Sequence, residues 1–206
     1  MTKIKICGLT RPEDIEAVNR LKPDYIGFVF AKSRRQVGEE QAAYLKNLLH
    51  PNICPVGVFV DEDEERICRL VERHTIRIVQ LHGHETPQQV NALRSRLNCP
   101  IIKAVRMESG HSLELWQESD VDFLLLDAGA GGTGNAFDHD LILRAGQITK
   151  LWFLAGGMNP DNAADAIQRF APFGIDVSSG VETGGKKDPQ KIEKMIRNVR
   201  GAQKEK

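Results

Sequence analysis

The sequence predicts a single α/β domain, a closed (β/α)8 barrel of the TIM type over residues 1–200, with a polar, frayed tail over 201–206. Three observations predict it. Apolar runs recur at intervals of roughly 22 to 30 residues, each followed by a stretch with helical pattern, which is the rhythm of alternating β/α units. The runs number eight, the count that closes such a barrel. A length of 206 residues leaves the units almost no room for insertions, since typical barrels run to about 250 residues. An open doubly wound sheet is the competing architecture; it holds the first and last strands apart, where a barrel joins them.

In chain order the runs are KIKIC, YIGFVF, PVGVFV, IRIVQLH, PIIKAV, VDFLLLD, LWFLAGG and GIDVSSG. The segments between them carry helix signals. RPEDIEAVNRL opens on Pro12 with acids in its first turn, and DEDEERICRLVERH is acidic at its start and basic at its end, as the helix dipole favours. In ETPQQVNALRSRL, Thr86 caps a helix opened by Pro87; in MNPDNAADAIQRF, Asn159 and Pro160 are expected to do the same. HSLELWQES is the shortest of these patterns.

Composition narrows the function. The hydrophobic fraction of 41% suits a globular core. With 28 basic against 28 acidic residues, no basic excess points to nucleic acid or to an anionic membrane surface. The N-terminus has no signal-peptide core and no apolar run reaches the roughly 18 residues of a spanning helix, so a cytoplasmic location is expected. Cys7, Cys54, Cys68 and Cys99 form no C-x-x-C pair, so neither a disulfide framework nor a zinc site is signalled.

In a barrel the C-terminal ends of all strands share one mouth. Reading off those ends gives Cys7, Arg34 and Arg35, Gln80 and His82, Arg106, Asp127, Gly156 and Gly157, and Ser178 to Gly180. Alternation along the first strand puts Ile4 and Ile6 on one face and Lys5 and Cys7 on the other. Two readings stand there: Lys5 favours the Cys7 thiolate, or Lys5 merely pairs a buried acid such as Asp176 while Cys7 fills space. Phe123, Leu125 and Asp127 likewise share a face, so an apolar strand delivers one carboxyl to the mouth ahead of a glycine-rich loop. It is either an acid for chemistry, or a carboxylate that caps a turn or pairs with an arginine.

The loops LAGGMNP and DVSSGVET follow strands 7 and 8, where barrels often hold phosphate on backbone N–H groups; ordinary tight β/α turns are the other reading. His82 is expected to line the mouth and His84 to be a solvated loop residue; their spacing completes no metal site, and none is predicted. GGKKD reads as a solvated loop.

Together KICGLT, GFVF followed by KSRR, VGVFV, QLHG, IKA, LLLDA followed by GGTG, LAGGMNP and DVSSGVE resemble the phosphoribosylanthranilate isomerases of tryptophan biosynthesis, essentially from end to end. The resemblance implies a cofactor-free Amadori rearrangement of a small phosphosugar substrate. Carried over by motif, it makes Cys7 the general base and Asp127 the general acid. It also gives Arg35, in preference to Arg34, the substrate's carboxylate, and the backbone of Gly156, Gly157, Ser179 and Gly180 the phosphate. The stretch NAFDHD departs from the family's usual pattern. The related isomerase of histidine biosynthesis is the nearest alternative, but it normally has an aspartate where Cys7 stands and a two-fold internal repeat. A non-catalytic phosphosugar-binding barrel is the other; it would have lost Cys7 or Asp127. The sequence leaves monomer or dimer open.

Overall fold

Alternation along each apolar run decides which side chains enter the barrel and which meet the helices. The computed structural model describes residues 1–106, 110–127, 142 and 147–202. All eight runs form parallel strands: β1 (Lys3–Cys7), β2 (Tyr25–Val29), β3 (Cys54–Phe59), β4 (Ile78–Leu81), β5 (Ile101–Arg106), β6 (Phe123–Asp127), β7 (Leu151–Ala155) and β8 (Gly174–Val177). Each pairs with the next, and β8 returns to β1 with Lys5 opposite Asp176, so the sheet is a closed barrel and not an open one. Ile4 and Ile6 join the large outer core beneath the helices, while Val56, Ile78, Ile102, Leu125 and Phe153 fill the barrel itself.

The helices among the described residues are α1 (Pro12–Leu21), α2 (Glu39–Leu48), α3 (Glu64–Glu72), α4 (Pro87–Arg96), α5 (Gly110–Gln117), α6 (Ala163–Phe170) and α7 (Pro189–Gly201). The Thr86 hydroxyl accepts from Gln89 N, and the Gln89 side chain reaches back to Thr86 N, a reciprocal cap that satisfies two otherwise orphaned donors. Asp63 and Asp188 cap α3 and α7 one way only, each carboxylate accepting from backbone N–H groups of the first turn.

Asn159 caps as expected: its side chain accepts from Asp161 N and Asn162 N and its carbonyl from Ala163 N, a turn through Pro160 that leads into the regular helix from Ala163. One expectation needs correction: GGKKD is exposed at Gly184, Gly185 and Lys186 but not at Lys187. It belongs to a small hairpin of β9 (Glu182–Thr183) and β10 (Lys186–Lys187), following a 3-10 turn at Ser179–Val181, and its register places Lys187 opposite Glu182 with both buried. The segments GGTG and NAFDHD and the tail beyond Ala202 lie outside the described residues.

Candidate active site

Cys7 ends β1 pointing into the mouth, buried, with its register partner Gly27 on β2. The thiol occupies the space a side chain there would need: a Cβ on Gly27 would stand 2.7 Å from Cys7 Sγ. Beneath it Lys5 is fully buried and its Nζ donates to Asp176 Oδ1 at 2.8 Å. The two readings of Lys5 are therefore joined in one arrangement: it pairs with Asp176 and also acts on Cys7. Burial works against the Lys5 ammonium, yet Asp176 and then Cys7 outweigh it and hold the lysine charged, above its ordinary value. For Cys7, burial is the largest influence and pushes the thiol up; Lys5 pulls it down, Asp176 raises it, and Lys187 pulls it down again.

Asp127 ends β6 beside Arg106 on β5 and Ala155 on β7. His82 Nε2 stands 3.5 Å from Asp127 Oδ2, and His82 Nδ1 lies 3.0 Å from Nε2 of the buried Gln80. With Gln80 as donor, Nδ1 accepts and the imidazole proton sits on Nε2, facing the carboxyl. A cleft of about 430 Å³ opens beside them, with Ala104, Arg106 and Trp116 in its walls. The loop carrying His82 is braced from outside the barrel: Lys103 donates to Gly83 O at 2.8 Å and to Glu85 at 2.6 Å. The lysine of the IKA motif thus fixes the loop; it points away from the barrel interior and lines the outer side of the same cleft. His84 is largely exposed, with Nδ1 2.9 Å from Asp61.

Arg34 and Arg35 converge on one acid that sequence reasoning did not single out. Arg35 Nε and Nη2 bind Glu182 at 2.7 and 3.0 Å, Arg34 Nη2 binds it at 2.7 Å, and Lys187 Nζ at 2.8 Å. Burial raises the Glu182 carboxyl, but Arg35 and Lys187 together bring it below its ordinary value. Lys187 is lowered, burial outweighing the attraction of Glu182. Three cations around one ionised carboxylate leave a local positive surplus close to Cys7. Arg34 is 59% exposed and Arg35 21%, so Arg35 is the one built into the mouth.

Lys187 also donates to Ser178 O at 2.9 Å, and Ser178 Oγ donates to Cys7 O at 3.0 Å, stitching the loop after β8 to the end of β1. Gly156 and Gly157 follow β7, while Gly180 lies directly against Met158 and Asn159. The residues predicted for phosphate therefore come from two loops in mutual contact.

The comparisons with known proteins point the same way. The family model for N-(5'-phosphoribosyl)anthranilate isomerase matches residues 4–198. The chain is 46% identical to the N-(5'-phosphoribosyl)anthranilate isomerase of Acetivibrio thermocellus, covering 98% of this chain and 97% of that one. To that of Clostridium acetobutylicum it is 43% identical, with coverage of 97% and 98%. Among solved structures, the phosphoribosyl anthranilate isomerase of Thermotoga maritima superposes with a TM-score of 0.87 at 35% identity, over 98% of this chain and 100% of that one. Another, solved in complex with reduced 1-(o-carboxyphenylamino)-1-deoxyribulose 5-phosphate, superposes with a TM-score of 0.84 at 36% identity, again over 98% and 100%. Likeness of this extent, on a barrel whose mouth gathers a thiol, a carboxyl and a cluster of cations, makes the chain a member of the N-(5'-phosphoribosyl)anthranilate isomerase family.

Proposed function

We propose that this mouth converts N-(5-phosphoribosyl)anthranilate to 1-(2-carboxyphenylamino)-1-deoxyribulose 5-phosphate, with Asp127 as general acid and Cys7 as general base. One observation carries the assignment. The two groups end different strands on the same mouth in unlike surroundings: Cys7 buried over Lys5, Asp127 against His82 at the edge of a cleft.

The chemistry needs such a pair. Asp127 delivers a proton to the furanose ring oxygen as the C1–O bond breaks and the anilino nitrogen's lone pair forms a C1=N iminium. Cys7 then takes the C2 proton, and the C2–H electron pair moves into C1=C2 while the iminium pair returns to nitrogen. The enolamine gains a proton at C1 as the C2 hydroxyl becomes the ketone. One group begins protonated and the other accepts, which is why acid and base stand in different environments. His82, beside Asp127, is placed to turn its Nε2–H toward the carboxylate left once the acid has given its proton. Phosphate sits on the backbone of Gly156, Gly157, Ser179 and Gly180, and Arg35 holds the anthranilate carboxylate, a planar anion that suits a guanidinium fork.

The test is the loss of the substrate's anthranilate fluorescence, with Cys7→Ala and Asp127→Asn at equal folded concentration. Each substitution is expected to lower kcat by about 10²- to 10⁴-fold. Retention of the rate in either variant would remove that residue from the mechanism.

A further inference from the structure

We propose that Glu182 is a positioning residue for the substrate's carboxylate: it grips one edge of the Arg35 guanidinium and turns the other toward the substrate. The inference rests on the reading of Arg35 given above and adds a residue to which that reading assigns no role. Its basis is the way the guanidinium is divided. Glu182 takes Nε and Nη2 as a bidentate pair, while Nη1 makes no hydrogen bond among the described residues. An arginine has donors to spare after one such pair, and the Nη1–Nη2 end remains for a second planar anion.

The grip is itself anchored. The Glu182 side chain is 5% exposed, its Oε1 also accepts from the buried Lys187, and its backbone carbonyl accepts from Lys191 Nζ at 2.7 Å. The Arg35 stem lies across Gly8, directly after Cys7, where the backbone is left-handed (φ 81°) and any Cβ would collide with the Arg35 side chain. The arginine is thus held at both its stem and one edge, beside the proposed base. A long side chain otherwise loses much rotamer freedom when it binds an anion, and fixing it beforehand removes that cost from the binding step.

A competing role predicts the opposite sign. If Glu182 only occupies Arg35 until substrate displaces it, removing its charge would tighten binding of the carboxylate. The experiment compares two reduced product analogues, one with and one without the ortho-carboxylate, by calorimetric Kd on wild type, Glu182→Gln, Glu182→Asp and Arg35→Met. Circular dichroism confirms that each variant is folded. We expect Glu182→Gln to weaken the carboxylate-bearing analogue by about 10- to 100-fold, the scale of a charge-assisted hydrogen bond, and to leave the other nearly unchanged.

Glu182→Asp keeps the charge but withdraws it, and should lose the same discrimination in smaller degree. Tighter binding of the carboxylate by Glu182→Gln, or equal loss for both analogues in Glu182→Gln and Glu182→Asp, overturns the proposal. Arg35→Met separates the two readings. If it affects both analogues equally, the Arg35 assignment itself fails; if it discriminates and the Glu182 variants do not, the positioning role alone fails.

Discussion

The two ends of the barrel interior are built from opposite materials. At the floor, where the strands begin, Tyr25, Phe123, Phe153 and Phe173 form an aromatic cluster with ring centroids 5.3 to 5.8 Å apart. Near the mouth the interior holds an ammonium, a thiol, a carboxamide and carboxylates at Lys5, Cys7, Gln80, Asp127 and Asp176. Apolar burial and edge-to-face ring contacts stabilise the floor. Buried ion pairs at best offset their own desolvation, so the mouth contributes little net stability for the groups it concentrates. Stability and chemistry are therefore separable along the barrel axis, and substitutions at the two ends should fail in different assays.

The largest effect is expected at Cys7. Cys7→Ala should lower kcat by about 10²- to 10⁴-fold while moving Tm by only a few degrees, because the side chain lost is small. Phe153→Ala should do the reverse. Phe153 is 1% exposed and meets three other rings, so its truncation should cost about 3–5 kcal/mol. For a chain of this size that lowers Tm by about 6–20 °C, with kcat retained below the transition. A Phe153→Ala enzyme that is fully folded but slow would break the division between floor and mouth.

That division was largely legible in the sequence, and the illegible part has physical causes. Alternation in KIKIC separates Ile4 and Ile6 from Lys5 and Cys7, and alternation in FLLLD places Phe123, Leu125 and Asp127 together; both patterns need only the two-residue period of a strand. Glu182 and Lys187 could not be found that way. They meet through the register of a hairpin turned at Gly184 and Gly185, both with positive φ, and nothing in the spacing of VETGGKKD says that this pair turns inward. The strand-end charge of Glu182, just past SSG, was the available signal. Lys103, in the IKA motif, follows the strand rule again: its parity sends it outward to Glu85.

Lys5 joins the two ends, and its removal should register in both assays. Lys5→Met leaves Asp176 without its buried partner, a loss of about 3–5 kcal/mol that adding Asp176→Asn should partly recover. Its distinctive effect is on the pH profile. Burial raises the Cys7 thiol, so the thiolate base forms increasingly as pH rises, and kcat/KM should climb on the alkaline side of neutrality. Because Lys5 pulls that thiol down, its loss should move the climb to higher pH. An unmoved profile in the folded variant would disconnect Lys5 from the base and leave it a structural ion pair.

Gln80 sharpens the boundary with the smallest expected effect. It is 1% exposed, on the inward face of β4 between Ile78 below and His82 above. Among the described residues its Oε1 is the buried side-chain polar atom without a partner, while Nε2 holds His82. Gln80→Met keeps length and volume. It gives up one neutral hydrogen bond, about 1 kcal/mol, and removes an unsatisfied acceptor that costs about 1–3 kcal/mol, so folding stability should stay level or rise slightly. In exchange His82 loses the donor that fixes its tautomer, and kcat should fall by less than about tenfold, since the imidazole touches the proposed acid without being one of the two reacting groups. A Tm that falls by more than about 4 °C would assign Gln80 to the floor, because each kcal/mol moves Tm by about 2–4 °C at this size. An unchanged Tm with a modestly slowed reaction would place the start of the chemical end of the barrel at this side chain.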